Sequence, residues 1–352
     1  MKRMAAVTLF VLVASSSLWA DPRQGAMPVT IDTFARAESD MYMASSAQHA
    51  FGTIVHSRTL ADIDNQTVIR MNRDTLYSYG VFDLDAGSVT ITMPDAGQRF
   101  MSLQVINEDH YVPEVLYGAG SHTFSRENVG TRYVMLAIRT LVDPNDPVDL
   151  EQAHALQDAI QVGQQNRGST EFPAWNTSDQ DRIRAALLEL AGYTNGFKNA
   201  FGKKEDVDPV RHLIGTAAGW GGNPDKDATY LSFSPAFNDG KTISRLDVKD
   251  VPVDAFWSVS VYDSKGYFEK NALNAYTLND ITAHKNAEGG ITIQFGGCDG
   301  KVQNCLPVMP GWNYTVRLYR PRAEILSGAW KFPEPQVVAA SSAEGESSGE
   351  GR

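Results

Sequence analysis

Two stretches that alternate apolar with polar residues, 67–139 and 228–333, bracket a middle stretch whose apolar residues fall at helical spacing. A period of two sends successive side chains to opposite faces of a strand, so each block is expected to form sheet with one face covered. In the first block Val89–Met93 alternates and stops at Pro94, Phe100–Ile106 alternates around Ser102 and Gln104, and Arg132–Arg139 is a β-branched and aromatic run. In the second, Phe256–Tyr262, Ile291–Phe295 and Tyr314–Tyr319 alternate likewise. Gly and Asp clusters punctuate the runs, which favours antiparallel pairing. Helices are expected over Thr30–Ala50 and Asp149–Gln164, and over a third segment opened by Ser178 with Asp181 and stopped at Gly192. The chain is therefore expected to be mainly β: two antiparallel β-sandwich or jelly-roll-like domains with helices packed between them, because each sheet has an apolar face to cover.

The same reading divides the chain into a signal peptide (1–20), an N-terminal β domain (21–145), a helical connector (146–227), a C-terminal β domain (228–335) and a disordered acidic tail (336–352). Lys2 and Arg3 precede an apolar run, Met4–Ala14, of secretory length, and cleavage after Ala20 fits the small-residue rule. A periplasmic or secreted protein is the expectation. No later run approaches membrane-spanning length, so the mature chain is expected to have no transmembrane segment. Cys298 and Cys305, in GGCDGKVQNC, are expected to form a disulfide in that compartment. With Lys2 and Arg3 removed, 29 basic residues face 42 acidic ones, a net −13 with His neutral, which argues against nucleic acid as a partner. Self-association is left open.

Three longer segments carry a resemblance. MNRDTLYSYGVFDLDAG at Met71–Gly87, followed by RFMSLQVINEDHY, resembles the family called domain of unknown function 1254. FWSVSVYDSKGYFEKNALNAYTLND at Phe256–Asp280 and LPVMPGWNYTVRLYRPRAEILSGAWKFP at Leu306–Pro333 resemble its usual partner, domain of unknown function 1214. Gly219-Trp220-Gly221-Gly222 fits the joined pattern. The resemblance runs from about residue 30 to 335. It implies a tandem exported bacterial protein and no particular reaction.

The densest polar motif is Asn72-Arg73-Asp74-Thr75 with Tyr77. Arg73 offers a planar fork for a carboxylate or phosphate, and Asp74 either orients Arg73 or acts as a base. The same residues serve equally to satisfy a loop entering a sheet. Asn107-Glu108-Asp109-His110-Tyr111 ends a strand and offers Asp109 and His110 for proton transfer, although a surface turn accounts for the pattern too. Seven scattered His residues without HxH or HExxH give no metal site, and no cofactor is expected. Trp220, Trp257, Tyr262, Tyr267 and Trp312 either line a ligand cleft or fill a core.

Two functions follow from these residues. The first is binding of a small molecule or envelope polymer at the junction of the two β domains, through Asn72, Arg73, Tyr77, Tyr111, Trp220 and Trp257. The alternative is a cofactor-free hydrolase or lyase using Asp74, Asp109 or His110. Convergence of Arg73, Asp74, Asp109 and His110 in one cleft would favour the enzyme.

Overall fold

The computed structural model describes residues 25–338 apart from 67, 68 and 195. The expected signal peptide and the tail from 339 onward lie outside the described residues. Among the described residues, sixteen strands form four sheets, paired antiparallel except at one place.

The first half contributes β1 (Val55–His56), β2 (Thr75–Asp83), β3 (Val89–Met93), β4 (Met101–Asn107), β5 (Val115–Tyr117), β6 (Gly120–Phe124), β7 (Tyr133–Leu141) and β8 (Gln161–Gln164). A five-stranded sheet in the order β1-β2-β7-β4-β5 faces a three-stranded sheet, β6-β3-β8. Alternation explains the pairing. Val89, Ile91 and Met93 of β3 point inward onto Phe82, Leu103, Val105, Val134, Leu136 and Ile138 of the larger sheet. On the outer face Thr90 and Thr92 share hydrogen bonds with Thr123 and Ser121 across β6.

The second half contributes β9 (Ala228–Phe233), β10 (Ser244–Val248), β11 (Trp257–Tyr262), β12 (Thr277–Asn279), β13 (Ile291–Phe295), β14 (Cys305–Leu306), β15 (Asn313–Tyr319) and β16 (Gln336–Val337). The sheets β14-β13-β10-β16 and β12-β11-β15-β9 enclose a core of Leu246, Val259, Val261, Ile293, Phe295, Trp312, Val316 and Leu318. The exceptional parallel pair is β13–β14, and the Cys298–Cys305 disulfide closes the loop between them.

The helices are α1 (Phe34–Ala50), α2 (Arg126–Val129), α3 (Pro147–Asp158), α4 (Thr177–Ala191), α5 (Pro209–Ala218) and α6 (Ala323–Leu326). Phe34 and Ala37 of α1 pack with Leu187 of α4 and Ile214 of α5. Met43 and Ala47 of α1 cover Val81, Ile106, Tyr133 and Met135 on the outer face of the five-stranded sheet. Elsewhere on that face the second sandwich packs directly, with Phe100 and Leu141 against Ala228, Phe256 and Tyr319.

Three expectations are corrected. The helix over Asp149–Gln164 ends at Asp158, because Ala159 and Ile160 turn the chain into β8, which pairs with β3 and completes the first sandwich. The third helix is capped by Asn176, whose side chain accepts from the amides of Ser178 and Asp179, and not by Ser178. Gln336 and Val337, expected in the disordered tail, instead pair with Arg245 and Ser244. Helix α5, not foreseen, has the Asp208 cap and Pro209 at its first turn.

Candidate functional site at the domain junction

Strand alternation sets up the junction. With Trp257, Val259 and Val261 of β11 and Tyr314, Val316 and Leu318 of β15 turned into the second core, Ser258, Ser260 and Tyr262, and Asn313, Thr315, Arg317 and Tyr319, must point the other way. Such a polar row normally meets water. Here it is buried: Ser258 and Ser260 are fully covered and Arg317 is 3% exposed. What covers it is the segment 70–74 and the outer face of β2, β7 and β4, which carries Tyr77, Arg139 and Gln104.

The segment 70–74 is fastened residue by residue. Arg317 donates to Ser260 Oγ (2.9 Å), to the carbonyls of Arg70 (2.8 Å) and Met71 (3.2 Å), and to the Tyr262 hydroxyl (2.7 Å). That hydroxyl donates in turn to the Met71 carbonyl at 2.8 Å. Arg70 donates to Asn313 Oδ1 (2.7 Å) and Thr315 Oγ1 (3.1 Å). Asp74 is fully buried and accepts from Ser258 Oγ (2.6 Å), Asn279 Nδ2 (3.2 Å) and Thr277 Oγ1 (3.4 Å). Burial pushes its carboxyl up, and the charge of Arg317 and those three hydrogen bonds oppose the rise.

Arg73 and Asp74 do not pair. The Arg73 guanidinium turns away to the Ala61 carbonyl and lies over the Tyr276 ring, 5.2 Å from its centre. The two residues diverge as the chain enters β2. The expected role of Asp74 in orienting Arg73 is therefore corrected.

At the centre, Asn72 Nδ2 contacts Thr75 Oγ1 (3.1 Å) and the hydroxyls of Tyr77 and Tyr319 (3.2 Å each). Arg139 donates to Gln104 Oε1 (2.5 Å) and the Gly221 carbonyl (3.0 Å), and lies over the Tyr77 ring at 5.4 Å. Asn223 donates to the Tyr230 hydroxyl through its main-chain N and its Nδ2. Burial raises the Tyr77 phenol, but the charge of Arg139 and the Asn72 hydrogen bond outweigh it, and the phenol ends below its ordinary value. Among the described residues, Arg70, Arg73, Arg139 and Arg317 have no carboxylate oxygen within 4 Å, in a chain of net charge −11.

The other expected site residues lie apart from this centre. Asp109 is held by Arg36, whose Nη2 is 2.6 Å from Oδ1. His110 is fully buried, with Nε2 accepting from the Gly221 amide at 2.8 Å. The Thr216 hydroxyl already donates to the His212 carbonyl, so His110 Nδ1 carries the proton and donates to Thr216 Oγ1 at 2.8 Å. Burial first, and the neighbouring His212 second, hold the imidazole well below its ordinary pKa. A neutral ring with both nitrogens occupied is a structural unit. Trp220 stacks on it (5.4 Å) and on Tyr42 (4.8 Å), while donating to Ser39 Oγ. Tyr111 stacks on His212 at 4.5 Å. Trp257 points into the second core against Phe332, which removes it from any cleft.

Asp74 and Arg73 thus do not converge with Asp109 and His110. His110 reaches the junction through Gly221, whose amide meets His110 and whose carbonyl meets Arg139. The residues that sequence reasoning missed are Arg139, Ser258, Asn279, Arg317, Tyr230 and Tyr319. An arginine inside each of two apolar strands was the available signal. Among the described residues no cluster of three or more His, Cys, Asp or Glu is arranged to hold a metal, and no helix is long and apolar enough to cross a membrane.

Residues 51–118 match the family described as protein of unknown function (DUF1254), and residues 236–323 match the protein of unknown function (DUF1214). The chain carries this tandem arrangement. A crystal structure of a Vibrio parahaemolyticus protein is similar over 88% of this chain and 97% of its own, at 17% identity and a TM-score of 0.67, and shares the fold. An uncharacterised protein from Burkholderia cenocepacia is similar over 87% of this chain and 86% of its own, at 15% identity and a TM-score of 0.49. No curated protein matches.

Proposed function

We propose that this tandem chain is an exported binding protein that takes a small molecule, or the end of an envelope polymer, at the junction of its two sandwiches. The observation that carries this reading is the composition of the junction. Beside the apolar contact of Phe100 and Leu141 with Ala228 and Phe256, the two sandwiches meet through a buried polar patch in which, among the described residues, four arginines have no carboxylate oxygen within 4 Å. Burying polar groups between domains is costly unless each is satisfied, and a purely structural joint is built more cheaply from apolar side chains. Asn72, Tyr77 and Tyr230 keep partial exposure at its centre, so solvent reaches the polar network. Export is supported by the disulfide and by the apolar leader in the sequence.

A metabolite library screened by thermal shift against the exported chain tests the proposal. A true ligand raises Tm with concentration, by about 2.7 kcal/mol of stabilisation at one hundred times Kd. Amide shifts on adding that compound should map to 70–77, 139, 221–230 and 313–319. Shifts confined to another face, or no stabilising compound, would overturn the reading.

A further inference from the structure

We propose that Tyr77, Tyr230 and Tyr319, with the guanidinium of Arg139, recognise an oxyanion group of the ligand, a carboxylate, sulfate or phosphate. The inference rests on the junction being the binding site and names the chemistry it selects.

The argument is an account of hydrogens. A phenol carries one O–H donor and accepts through its lone pairs. The Tyr77 and Tyr319 oxygens accept from Asn72 Nδ2, and the Tyr230 oxygen accepts from Asn223. Among the described residues, none of these three hydroxyls donates to a protein acceptor. Three other buried or half-buried tyrosines do, Tyr262 to the Met71 carbonyl, Tyr117 to Asp227 and Tyr133 to the Ser169 carbonyl, whereas Tyr314, inside the second core, has no partner among the described residues. The nearby amide oxygens are already engaged, Asn72 Oδ1 by the Asp74 amide and Asn223 Oδ1 by Arg139 at 3.5 Å. The centre of the junction therefore presents three phenol hydrogens with no protein acceptor among the described residues.

The three hydroxyls belong to one cluster. A single Asn72 nitrogen reaches two of them, and Asn223 links the third to Arg139, which lies over the Tyr77 ring. Burial holds the Tyr319 phenol well above its ordinary pKa, so it keeps its proton at neutral pH. Arg139 is 7% exposed and has no carboxylate partner, and a desolvated guanidinium is stabilised by an anion. Arg317 and Arg70 lie in the same junction, and among the described residues neither has a carboxylate oxygen within 4 Å, although the charge of Arg317 is felt by the buried Asp74. A cationic group would oppose Arg139, and a neutral acceptor would answer the hydroxyls without supplying the charge that the desolvated guanidinium favours.

The test titrates the full exported chain with sodium sulfate, phosphate and acetate at constant ionic strength against chloride, following the tyrosine ring signals by NMR. Saturable shifts of Tyr77, Tyr230 and Tyr319 are expected, and the preferred salt separates carboxylate from phosphate or sulfate. Tyr77→Phe and Tyr319→Phe should each weaken binding about fivefold to tenfold. If either variant folds poorly, Tyr230→Phe, whose ring is half-buried, reads the same contact. Linear, chloride-like responses would mean that the hydroxyls meet only water and would overturn the inference. A neutral library compound that shifts these residues saturably, equally in wild type and Phe variants, would overturn the oxyanion inference and leave junction binding standing. No response at the junction to any salt or compound would overturn both.

Discussion

Arg317, on the second sandwich, donates to the main-chain carbonyl of Arg70, 2.8 Å away in the segment that leads into the first. That one bond ties together parts of the chain 247 residues apart. It also explains why a polar sheet face is tolerated in the interior: the backbone of the entering segment supplies acceptors for a guanidinium that has no carboxylate partner.

Replacing Arg317 with Met should therefore cost much more than its volume suggests. It strands the Arg70 carbonyl, leaves Ser260 Oγ with Thr277 alone, and removes the positive charge that partly offsets the burial of Asp74. A loss of about 3–5 kcal/mol is expected in urea unfolding at pH 7. A loss under about 1 kcal/mol would contradict the clamp.

Asp40 gives a pH dependence. It is buried on α1, accepts from Trp175 Nε1 at 2.7 Å through Oδ2, and among the described residues has no partner for Oδ1. Burial, reinforced by the neighbouring Glu108, pushes its carboxyl up to about 7, with the Trp175 hydrogen bond opposing. A carboxyl raised in the folded state binds its proton more tightly there than in the unfolded chain. Its contribution is fully present below the unfolded value of about 3.9 and is lost as pH rises towards 7. Asp40→Asn should gain stability relative to wild type over that window, by about 2–4 kcal/mol in total. Paired urea titrations at pH 4, 5.5 and 7.5 check this, and a difference that does not change with pH would refute it.

The division into two sandwiches was legible because β3, β11, β13 and β15 alternate cleanly, and the alternation is what packs the two cores. Legibility failed where strands carry no apolar row. Gln161–Gln164 has none, so it extended the preceding helix in the reading and hid β8. The candidate site was half legible. Asn72 and Tyr77 stand out because polar residues crowd one loop, whereas Arg139 and Arg317 sit inside apolar runs, and their meeting depends on the docking of two domains. His110 misled for a related reason: its partners Thr216 and Gly221 come from a helix end more than a hundred residues away.

The disulfide should be a modest local staple. Cys298 and Cys305 are seven residues apart, and Cys305 lies in the two-residue strand paired in parallel with β13. The double variant Cys298→Ser and Cys305→Ser should lose about 2 kcal/mol in guanidinium unfolding on the chain-entropy account. Tryptophan fluorescence at zero denaturant should be unchanged, because Trp312 is packed by Phe295 and Tyr314 and not by the loop. A variant that fails to fold would show that the loop organises the whole sheet.

Arg73 separates the two roles that its motif suggested. Its guanidinium reaches the Ala61 carbonyl and covers the Tyr276 ring, and the side chain is half-buried. Removing it leaves one carbonyl to water and forfeits one cation–π contact, while Asp74 keeps Ser258, Thr277 and Asn279. Arg73→Ala should lose about 1–2 kcal/mol in urea unfolding, and not the 3–5 kcal/mol that follows from stranding a buried carboxylate. Arg73→Lys keeps the charge over Tyr276 but not the planar fork, and should lose about half as much. Because the guanidinium points away from Tyr77 and Tyr319, the alanine variant should bind sulfate, phosphate or acetate as wild type does. An Arg73→Ala protein that melts normally but no longer responds to those anions would move the recognition centre from Arg139 to Arg73.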